Sequence, residues 1–254
     1  MNVSEVGIGP TVMILHGSPS PLDDLWPLAQ RLARTYNVIC PALPGYGGTA
    51  PLADFSFDRT GDALAEVLRE RDISHVRAII GFSSGGYRAL DLVLRRGIRC
   101  DLVVGLGALA APARGDRELL RMAARSLRGD PTGAELRPLL PPRLLSERWR
   151  RDHPGDDARV RAWFDLIDPR HLADELDAVT ELTDLHPLLP ALKSSLDLRV
   201  GELDVACSPS MSSEMAGLAP RALVEIVPDC GHALLIEDAT ATIDRVTELV
   251  HTGL

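Results

Sequence analysis

The sequence predicts an α/β fold, with a mostly parallel, twisted sheet, helices on both faces and an inserted helical cap. Short apolar runs of strand type alternate with segments of helical periodicity, and strands that are separated by helices pair in parallel. Several of these runs end in turns that are rich in glycine and carry serine, aspartate or histidine. Between two of the runs lie about ninety residues, far more than a helical crossover of about a dozen residues requires.

Composition and charge narrow the class of protein. The chain has 254 residues, of which 45% are hydrophobic and 25% charged, as expected for one globular domain or one domain with an insertion. Its net charge of −9 argues against a nucleic-acid partner. The first residues, M-N-V-S-E, lack the features of a signal peptide, and no run of 18 apolar residues could cross a membrane. We therefore expect a cytoplasmic protein without nucleic-acid or membrane partners.

The spacing of cysteine and histidine predicts neither a metal site nor a cofactor. The four cysteines stand singly, without the C-x-x-C spacing of a zinc site or the density of a disulfide framework. Four of the histidines also lack metal-site spacing. These residues are Cys40, Cys100, Cys207, Cys230, His153, His171, His186 and His251.

The first strands and helices follow each other closely. Residues 11–15 form a short apolar strand that ends in H-G-S-P, and residues 36–40 form a second one that ends in the Pro/Gly-rich loop P-A-L-P-G-Y-G-G-T. Residues 22–34 and 58–71 have the periodicity of amphipathic helices. We expect the His16 ring to brace its turn by hydrogen bonds. The backbone N–H of Ser18 could point into the space above the sheet.

The next strand and helix enclose the central motif of the chain, G-F-S-S-G. An apolar run at 76–80 reaches this turn, and a helix of small residues at 84–95 leaves it. In a G-x-S-x-G turn between strand and helix, the serine adopts a strained backbone conformation that exposes its hydroxyl. Ser83 is therefore the candidate nucleophile. The N–H groups of Ser84 and Ser18 are the candidate oxyanion donors, since unpaired N–H groups at such turns stabilise developing negative charge.

The long interval after the strand at 101–106 predicts the insertion. We expect the core to comprise residues 1–113 and 186–254, and the cap to comprise residues 114–185. Four helices are predicted in the interval, at 116–127, 139–152, 157–168 and 171–181, and proline-bearing loops separate the first three. Trp149, Trp163 and Phe164 are candidate walls of a substrate pocket beneath the cap.

The last third supplies two polar residues at strand ends. The strand at 196–200 leads to G-E-L-D and Asp204, and the strand at 222–227 leads to P-D-C-G-H and His232. Catalytic groups of open parallel sheets collect at the C-terminal edge of the strands, so both should meet Ser83 there. Glu202 is the rival carboxylate in the same turn. A helix at 240–250 closes the chain.

The motifs H-G-S-P, P-G-Y-G-G, G-F-S-S-G-G, G-E-L-D and D-C-G-H occur in an order that resembles the α/β-hydrolase superfamily. Length and the run D-L-H-P-L-L-P-A-L are most similar to the 3-oxoadipate enol-lactonase and carboxylesterase group. The resemblance implies that Ser83 is the nucleophile, His232 the general base and then acid, and Asp204 the group that orients the imidazole. The sequence departs from the family pattern at its start, where the usual first strand or two are shortened or absent.

The implied activity is a metal-free serine hydrolysis of a small ester or lactone, with a small molecule as the partner. The same residues could also serve C–C bond hydrolysis, a cofactor-free perhydrolase reaction or an elimination or cyclisation in biosynthesis. A ligand receptor derived from a hydrolase is a further alternative. Arginines of the insert could bind a substrate carboxylate. The sequence does not predict the oligomeric state, and a homodimer is one alternative.

Overall fold

Seven strands form one sheet in the computed structural model of the chain, which describes residues 1–112 and 115–253. Their spatial order is β1-β3-β2-β4-β5-β6-β7. β1 pairs antiparallel with β3, and each of the other neighbouring pairs is parallel. The strands are β1 (Val3–Val6), β2 (Thr11–Leu15), β3 (Asn37–Pro41), β4 (His75–Phe82), β5 (Arg99–Leu106), β6 (Ser195–Gly201) and β7 (Ala222–Val227). The predicted fold class is confirmed.

Both faces of the sheet are buried by helices. In β2, Val12 and Ile14 belong to one apolar cluster while Met13 and Leu15 belong to another, because successive side chains of a strand point to opposite faces. The core helices are α1 (Trp26–Leu32), α2 (Phe57–Arg69), α3 (Ser84–Leu94), and, after β6, α9 (Pro209–Leu218), α10 (Leu234–Glu237) and α11 (Ala239–Thr252).

The edge strand and α9 differ from the sequence prediction. β1 is short, but it is present and extends the sheet beside β3. α9 was not predicted, because its S-P-S-M-S-S-E segment lacks an apolar stripe and buries only Ser212 and Met215. Pro209 at its first position favours a helix start there.

Five helices lie between β5 and β6 in the described part of the chain. They are α4 (Arg117–Gly129), α5 (Leu140–Leu144), α6 (Glu147–Asp152), α7 (Pro154–Ala162) and α8 (Pro169–Val179). The helix expected at 139–152 is broken, because Leu145 is extended and the Ser146 hydroxyl caps a new helix by accepting the N–H of Trp149. The helix expected at 157–168 begins earlier, at Pro154, and ends in a 3-10 turn over Trp163–Leu166.

The insert shares its core with the rest of the molecule. Leu127, Phe164 and Leu172 of the insert belong to the same apolar cluster as Tyr87 and Leu109 of the sheet-bearing part. The predicted boundary between residues 113 and 114 falls on residues outside those that the structure describes. The division into core and cap therefore stays a prediction.

Candidate active site

Ser83 lies on a sharp turn between β4 and α3. Its backbone angles are φ 53° and ψ −123°, a conformation that costs a residue with a side chain about 1–3 kcal/mol. A Cβ atom on Gly81 would lie 2.3 Å from the carbonyl oxygen of Gly85, and one on Gly85 would lie 2.4 Å from that of Leu15. Only glycine fits at these two positions. The sequence therefore forces the strained turn that presents Ser83 at the C-terminal edge of the sheet.

The Ser83 side chain is half-buried at the bottom of a cavity. Its backbone N–H donates to the carbonyl of Leu106 at 2.9 Å, and its hydroxyl lies beside the Cys207 thiol. No hydrogen bond between the described residues joins the Ser83 hydroxyl to His232, although both line the same cavity. Catalytic hydrogen bonds often form only when substrate is bound.

His232 and Asp204 form a buried pair beside Ser83. Nδ1 of His232 lies 2.7 Å from Oδ2 of Asp204, and the two side chains are 3% and 0% exposed. The other carboxylate oxygen, Oδ1, accepts the backbone N–H groups of Ala206 and Cys207, each at 2.8 Å. Because both oxygens are engaged, Asp204 fixes the orientation of the imidazole and leaves its Nε2 for another partner.

The structure brings Asp204, and not Glu202, to the histidine. Glu202 is exposed and accepts the backbone N–H of Asp229 at 3.1 Å. The loop after β5 also packs against the pair, since a Cβ atom on Gly107 would lie 3.0 Å from Cε1 of His232 and 3.2 Å from Oδ2 of Asp204.

His16 braces the turn after β2, as the sequence predicts. The N–H of Leu43 donates to Nε2 of His16 at 3.1 Å, so Nδ1 carries the proton and donates to the carbonyl of Gly17 at 2.8 Å. Complete burial lowers the pKa of His16 to about 4, and the ring is therefore neutral at neutral pH. The turn approaches the nucleophile closely, because a Cβ atom on Gly17 would lie 2.9 Å from Cβ of Ser83.

A buried ion pair joins the insert to the core at this point. Nη2 of Arg88, on α3, lies 2.6 Å from Oε1 of Glu175, on α8, and both side chains are 1% exposed. The Ser18 hydroxyl donates to Oε2 of Glu175 at 2.6 Å. Nη1 of Arg88 donates to the Ser84 hydroxyl at 2.8 Å. The Tyr46 hydroxyl lies 2.6 Å from that of Ser18. We call these five residues the Arg88–Glu175 network.

The charges of the network follow from its surroundings. Burial acts to raise the pKa of the Glu175 carboxyl, but the Arg88 charge and the hydrogen bonds from Ser18 and Arg88 outweigh burial and lower it. Burial and then the Glu175 charge raise the pKa of Tyr46 well above its usual value. At neutral pH, Glu175 is therefore ionised and Tyr46 is neutral.

Arg88, Glu175 and Tyr46 are site residues that were not predicted from the sequence. One signal was present in α8, where Glu175 falls among Leu172, Leu176 and Val179 at helical spacing. A charged residue within an apolar stripe needs a buried partner. The partner itself is 87 residues away in the chain and could not be identified from spacing.

A cavity of about 240 Å³ lies above Ser83 and His232. Its core side presents the polar atoms of Ser18, Ser83 and Ser84, together with His232. Its insert side is mostly aliphatic, and six of the leucines there are Leu136, Leu139, Leu140, Leu144, Leu172 and Leu176. The arrangement suits an apolar group held against a polar reaction centre.

The predicted aromatic wall needs a correction. Phe164 lines the cavity, but Trp163 and Trp149 do not. Trp163 is buried in a separate apolar cluster with Leu144 and other residues. Trp149 stacks on His153 with ring centroids 3.8 Å apart and donates its indole N–H to Asp156. The predicted helix is broken before Ser146, so Trp149 belongs to the short helix α6 that Ser146 caps.

The insert carries Arg143, Arg148, Arg150, Arg151, Arg159 and Arg161, and of these six Arg143 lines the cavity. Its Nη2 lies 2.9 Å from Oδ2 of Asp116, which lines the cavity as well. The other five pair with carboxylates: Arg148 with Asp229, Arg150 and Arg161 with Asp157, Arg151 with Asp152, and Arg159 with Asp24.

Residues 1–112 and 115–253 contain no group of three or more His, Cys, Asp or Glu side chains that could hold a metal ion. None of the helices in these ranges combines the length and apolar character that crossing a bilayer needs.

Comparisons with known proteins agree with the fold. The family model described as "Alpha/beta hydrolase family" matches residues 12–245. The chain is 28% identical over 239 residues to the magnesium-chelatase 30 kDa subunit of Rhodobacter capsulatus, covering 89% of this chain and 81% of that one. A thermophilic esterase from Thermogutta terrifontis has a TM-score of 0.89 at 24% identity, with 99% and 94% of the two chains covered. The enol-lactonase from Burkholderia xenovorans LB400 has a TM-score of 0.86 at 21% identity, with 98% and 96% covered.

Proposed function

Since the chain belongs to the alpha/beta hydrolase family and is a hydrolase by class, we propose that it cleaves a small ester or lactone through an acyl-enzyme intermediate. The nucleophile is Ser83, the general base is His232, and Asp204 orients the base. The observation that carries the proposal is the strained Ser83 turn, placed in one cavity with a His232 ring that is already hydrogen-bonded to Asp204.

In the acylation step, the Ser83 oxygen attacks the carbonyl carbon of the substrate. A serine hydroxyl is too weakly acidic to react alone at neutral pH, so Nε2 of His232 takes its proton as the C–O bond forms. Asp204 stabilises the imidazolium by accepting the Nδ1 proton in a hydrogen bond. The mechanism requires the Ser83 hydroxyl to move from Cys207 to Nε2 of His232 when substrate binds.

Negative charge develops on the former carbonyl oxygen during this attack. The N–H of Ser84, the first residue of α3, is free of the helical ladder. Together with the N–H of Ser18, it would stabilise the oxyanion. The tetrahedral intermediate collapses when His232 returns the proton to the leaving alkoxide. In a lactone this alkoxide stays attached to the acyl group.

Deacylation repeats the same steps of attack and collapse with water as the nucleophile. His232 removes a proton from water, the hydroxide adds to the acyl carbon, and the Ser83 oxygen leaves with the proton from His232. Neither half of the reaction needs a metal ion or a cofactor, because each proton and each negative charge has a group of this chain to receive it.

The cavity favours a neutral, mostly apolar acyl group. Its insert side is mostly aliphatic. The charge of Arg143 is offset by Asp116 at 2.9 Å, and that of Glu175 by Arg88 at 2.6 Å. A substrate carboxylate would have to displace Asp116 from Arg143. We therefore propose a small apolar ester or lactone as the substrate class, with Arg143 as the residue to test for binding of an acidic substrate.

The experiment is a turnover screen of wild type and Ser83→Ala. The panel contains chromogenic esters with acyl chains of increasing length, lactones, and vinylogous diketones as substrates for C–C cleavage. We expect turnover of at least one ester or lactone, and a loss of at least ~10³-fold in kcat in Ser83→Ala. Each acyl compound is paired with an analogue that carries a free carboxylate, and both are repeated on Arg143→Gln.

Different outcomes of the screen would favour different chemistry. Turnover of the diketones alone would favour C–C bond hydrolysis. Halide-dependent oxidation with peroxide would favour a perhydrolase. A product that has not incorporated water would favour a lyase or cyclase. Tight binding without any turnover would favour a receptor. Ester turnover that is equal in wild type and Ser83→Ala would contradict the proposed mechanism.

A second candidate function comes from the likeness to the magnesium-chelatase subunit, which covers 89% of this chain. In that case the chain would assist an enzyme that inserts magnesium. The discriminating assay measures magnesium insertion by a chelatase with wild type or Ser83→Ala added. Equal stimulation by both would support a role that needs no hydrolysis, whereas stimulation by wild type alone would support hydrolysis within that process.

We further propose a cytoplasmic location and a small molecule as the partner. The four cysteines, Cys40, Cys100, Cys207 and Cys230, are free thiols, which agrees with a reducing compartment. Cell fractionation with antibody detection tests the location. Sedimentation tests for a homodimer.

A further inference from the structure

The Arg88–Glu175 network connects the two candidate oxyanion donors. We infer that Glu175 is a positioning residue, supplied by the insert, which with Arg88 sets the geometry of the oxyanion hole through Ser18 and Ser84. This inference rests on the proposed function. It assigns a role to two buried charged residues that take no part in the proton transfers described above.

The contacts form one continuous chain of hydrogen bonds from Ser18 to Ser84, the two residues with the candidate oxyanion donors. Ser18 donates to Glu175 at 2.6 Å, Glu175 pairs with Arg88 at 2.6 Å, and Arg88 donates to Ser84 at 2.8 Å. Both ends of this chain are side chains of the residues whose backbone N–H groups would bind the oxyanion. The ion pair thereby restrains the separation of the two residues that carry these N–H groups. An oxyanion hole depends on this separation, since its donors must meet the oxyanion at about 2.7–3.1 Å.

The ion pair is buried where stability alone does not require it. Both side chains are 1% exposed, and the Arg88 guanidinium lies 4.3 Å above the Phe57 ring. Burying two charges is costly, and an apolar pair of the same volume is often equally stable or more stable. A planar guanidinium that bonds two fixed partners gives directional control that apolar packing cannot give. Its two partners match this use, because Ser84 follows Ser83 in the chain and Glu175 accepts the hydroxyl of Ser18.

The network also couples the insert to the reaction centre. Glu175 lies on α8, whereas Ser18, Ser84 and Arg88 belong to the sheet-bearing part. A displacement of α8 would remove the acceptor of the Ser18 hydroxyl. Tyr46 reinforces the same end, because its hydroxyl lies 2.6 Å from that of Ser18. The oxyanion hole would therefore have its working geometry only when α8 is packed against the sheet-bearing part.

The test compares Glu175→Gln, Ser18→Ala and Ser84→Ala with a matched control. The control is Asp91→Asn, because Asp91 is a carboxylate of α3 with a 2% exposed side chain that pairs with Arg95 and Arg96 away from the cavity. Steady-state rates are divided by the number of active sites, which is titrated with a fluorophosphonate. Partly unfolded protein then lowers the number of sites and leaves the rate per site unchanged.

We expect Glu175→Gln to lower kcat per site by about 10- to 100-fold, part of the 10²–10³-fold effect of losing an oxyanion donor. KM should stay within about threefold, because the oxyanion forms only in the transition state. The fluorophosphonate should react more slowly by a similar factor, and the pH profile should keep its midpoint. Ser18→Ala and Ser84→Ala should each lower kcat by about threefold to tenfold, and Asp91→Asn should leave it within about twofold.

Two results would overturn the inference. One is an unchanged kcat per site in Glu175→Gln. The other is an equal loss in Asp91→Asn, which would indicate a general effect of buried charge. If Glu175→Gln does not fold, the two serine variants test the inference, because each removes one hydroxyl only. An unchanged kcat per site in both would then overturn it. Failure of the proposed function is recognised separately: Ser83→Ala would keep the wild-type rate, or fluorophosphonate would not react at Ser83, and the inference would fall with it.

Discussion

The two sides of the cavity are built from different kinds of structure. On the core side, Ser18, Ser83, Asp204 and His232 all belong to turns that follow parallel strands, so the sheet register fixes their mutual positions. On the insert side, short helices interrupted by extended residues and 3-10 turns contribute aliphatic side chains. The core side should therefore control the rate with every substrate, and the insert side should control which substrate fits.

The largest effect on the core side should come from Asp204→Asn. The neutral amide would donate an N–H to Nδ1 of His232 and so favour the tautomer that carries its proton on Nε2, which cannot accept the Ser83 proton. We therefore expect a loss of about 10³- to 10⁴-fold in kcat with every substrate. Glu202→Gln is the matched control in the same turn and should change kcat by less than about twofold, since Glu202 contacts Asp229 instead. Steady-state kinetics of both variants test this, and the reverse ranking would show that the base is oriented by Glu202.

On the insert side, Leu176→Phe should change selectivity and not chemistry. Leu176 lines the cavity, and a larger side chain there leaves less room for the acyl group. We expect kcat/KM for long-chain esters to fall by about 10- to 100-fold, the scale of one or two methylene groups in a pocket. Acetate esters should change by less than about threefold. Leu166→Phe, at a site that is 50% exposed, is the control. A uniform loss with all chain lengths would mean that the two sides are not separable.

The turn around His16 should make the core side sensitive to acid. The folded-state pKa of His16 is lowered from 6.5 to about 4, so between these values the unfolded state binds more protons. The contribution of neutral His16 to stability is complete above pH 6.5 and is lost as the pH falls toward 4. The loss at pH 5 is about 2 kcal/mol. Urea unfolding of wild type and His16→Asn at pH 7 and pH 5 measures it. The same pH dependence in both proteins would exclude His16 as its source.

The smallest effect is expected on the outer face of the insert. Arg150 and Asp157 form two hydrogen bonds at 2.8 and 2.9 Å, but both side chains are partly exposed. Exposed pairs contribute about 0–1 kcal/mol. Arg150→Gln should therefore lower the free energy of unfolding by less than about 1 kcal/mol and leave kcat unchanged. A loss of several kcal/mol, or a change in kcat, would show that this face of the insert also supports the cavity.

The same contrast explains what the sequence could predict. Ser83, Asp204 and His232 each follow an apolar run that ends in a motif, and the edge rule for parallel sheets places such residues together. The two glycines around Ser83 are required by contacts of 2.3 and 2.4 Å, so the motif itself encodes the strained turn. Local sequence and sheet topology agree at these positions.

The insert offered no comparable rule. Periodicity continued through 139–152, but the extended Leu145 and the Ser146 cap divide that stretch, and Trp149 turns toward His153 and Asp156. Which face of a short helix packs inward depends on tertiary contacts that periodicity does not contain. The pairing of Arg88 with Glu175 is equally nonlocal. Only the placement of Glu175 in an apolar stripe pointed to a buried partner.

The identity of the nucleophile is the central claim, and one measurement tests it most directly. The protein is treated with a fluorophosphonate, digested, and analysed by mass spectrometry for the modified serine. We expect one adduct, on Ser83, that is absent from Ser83→Ala and strongly slowed in Asp204→Asn. Labelling of Ser84, Ser18 or another serine while Ser83 stays unmodified would contradict the assignment of Ser83 as the nucleophile.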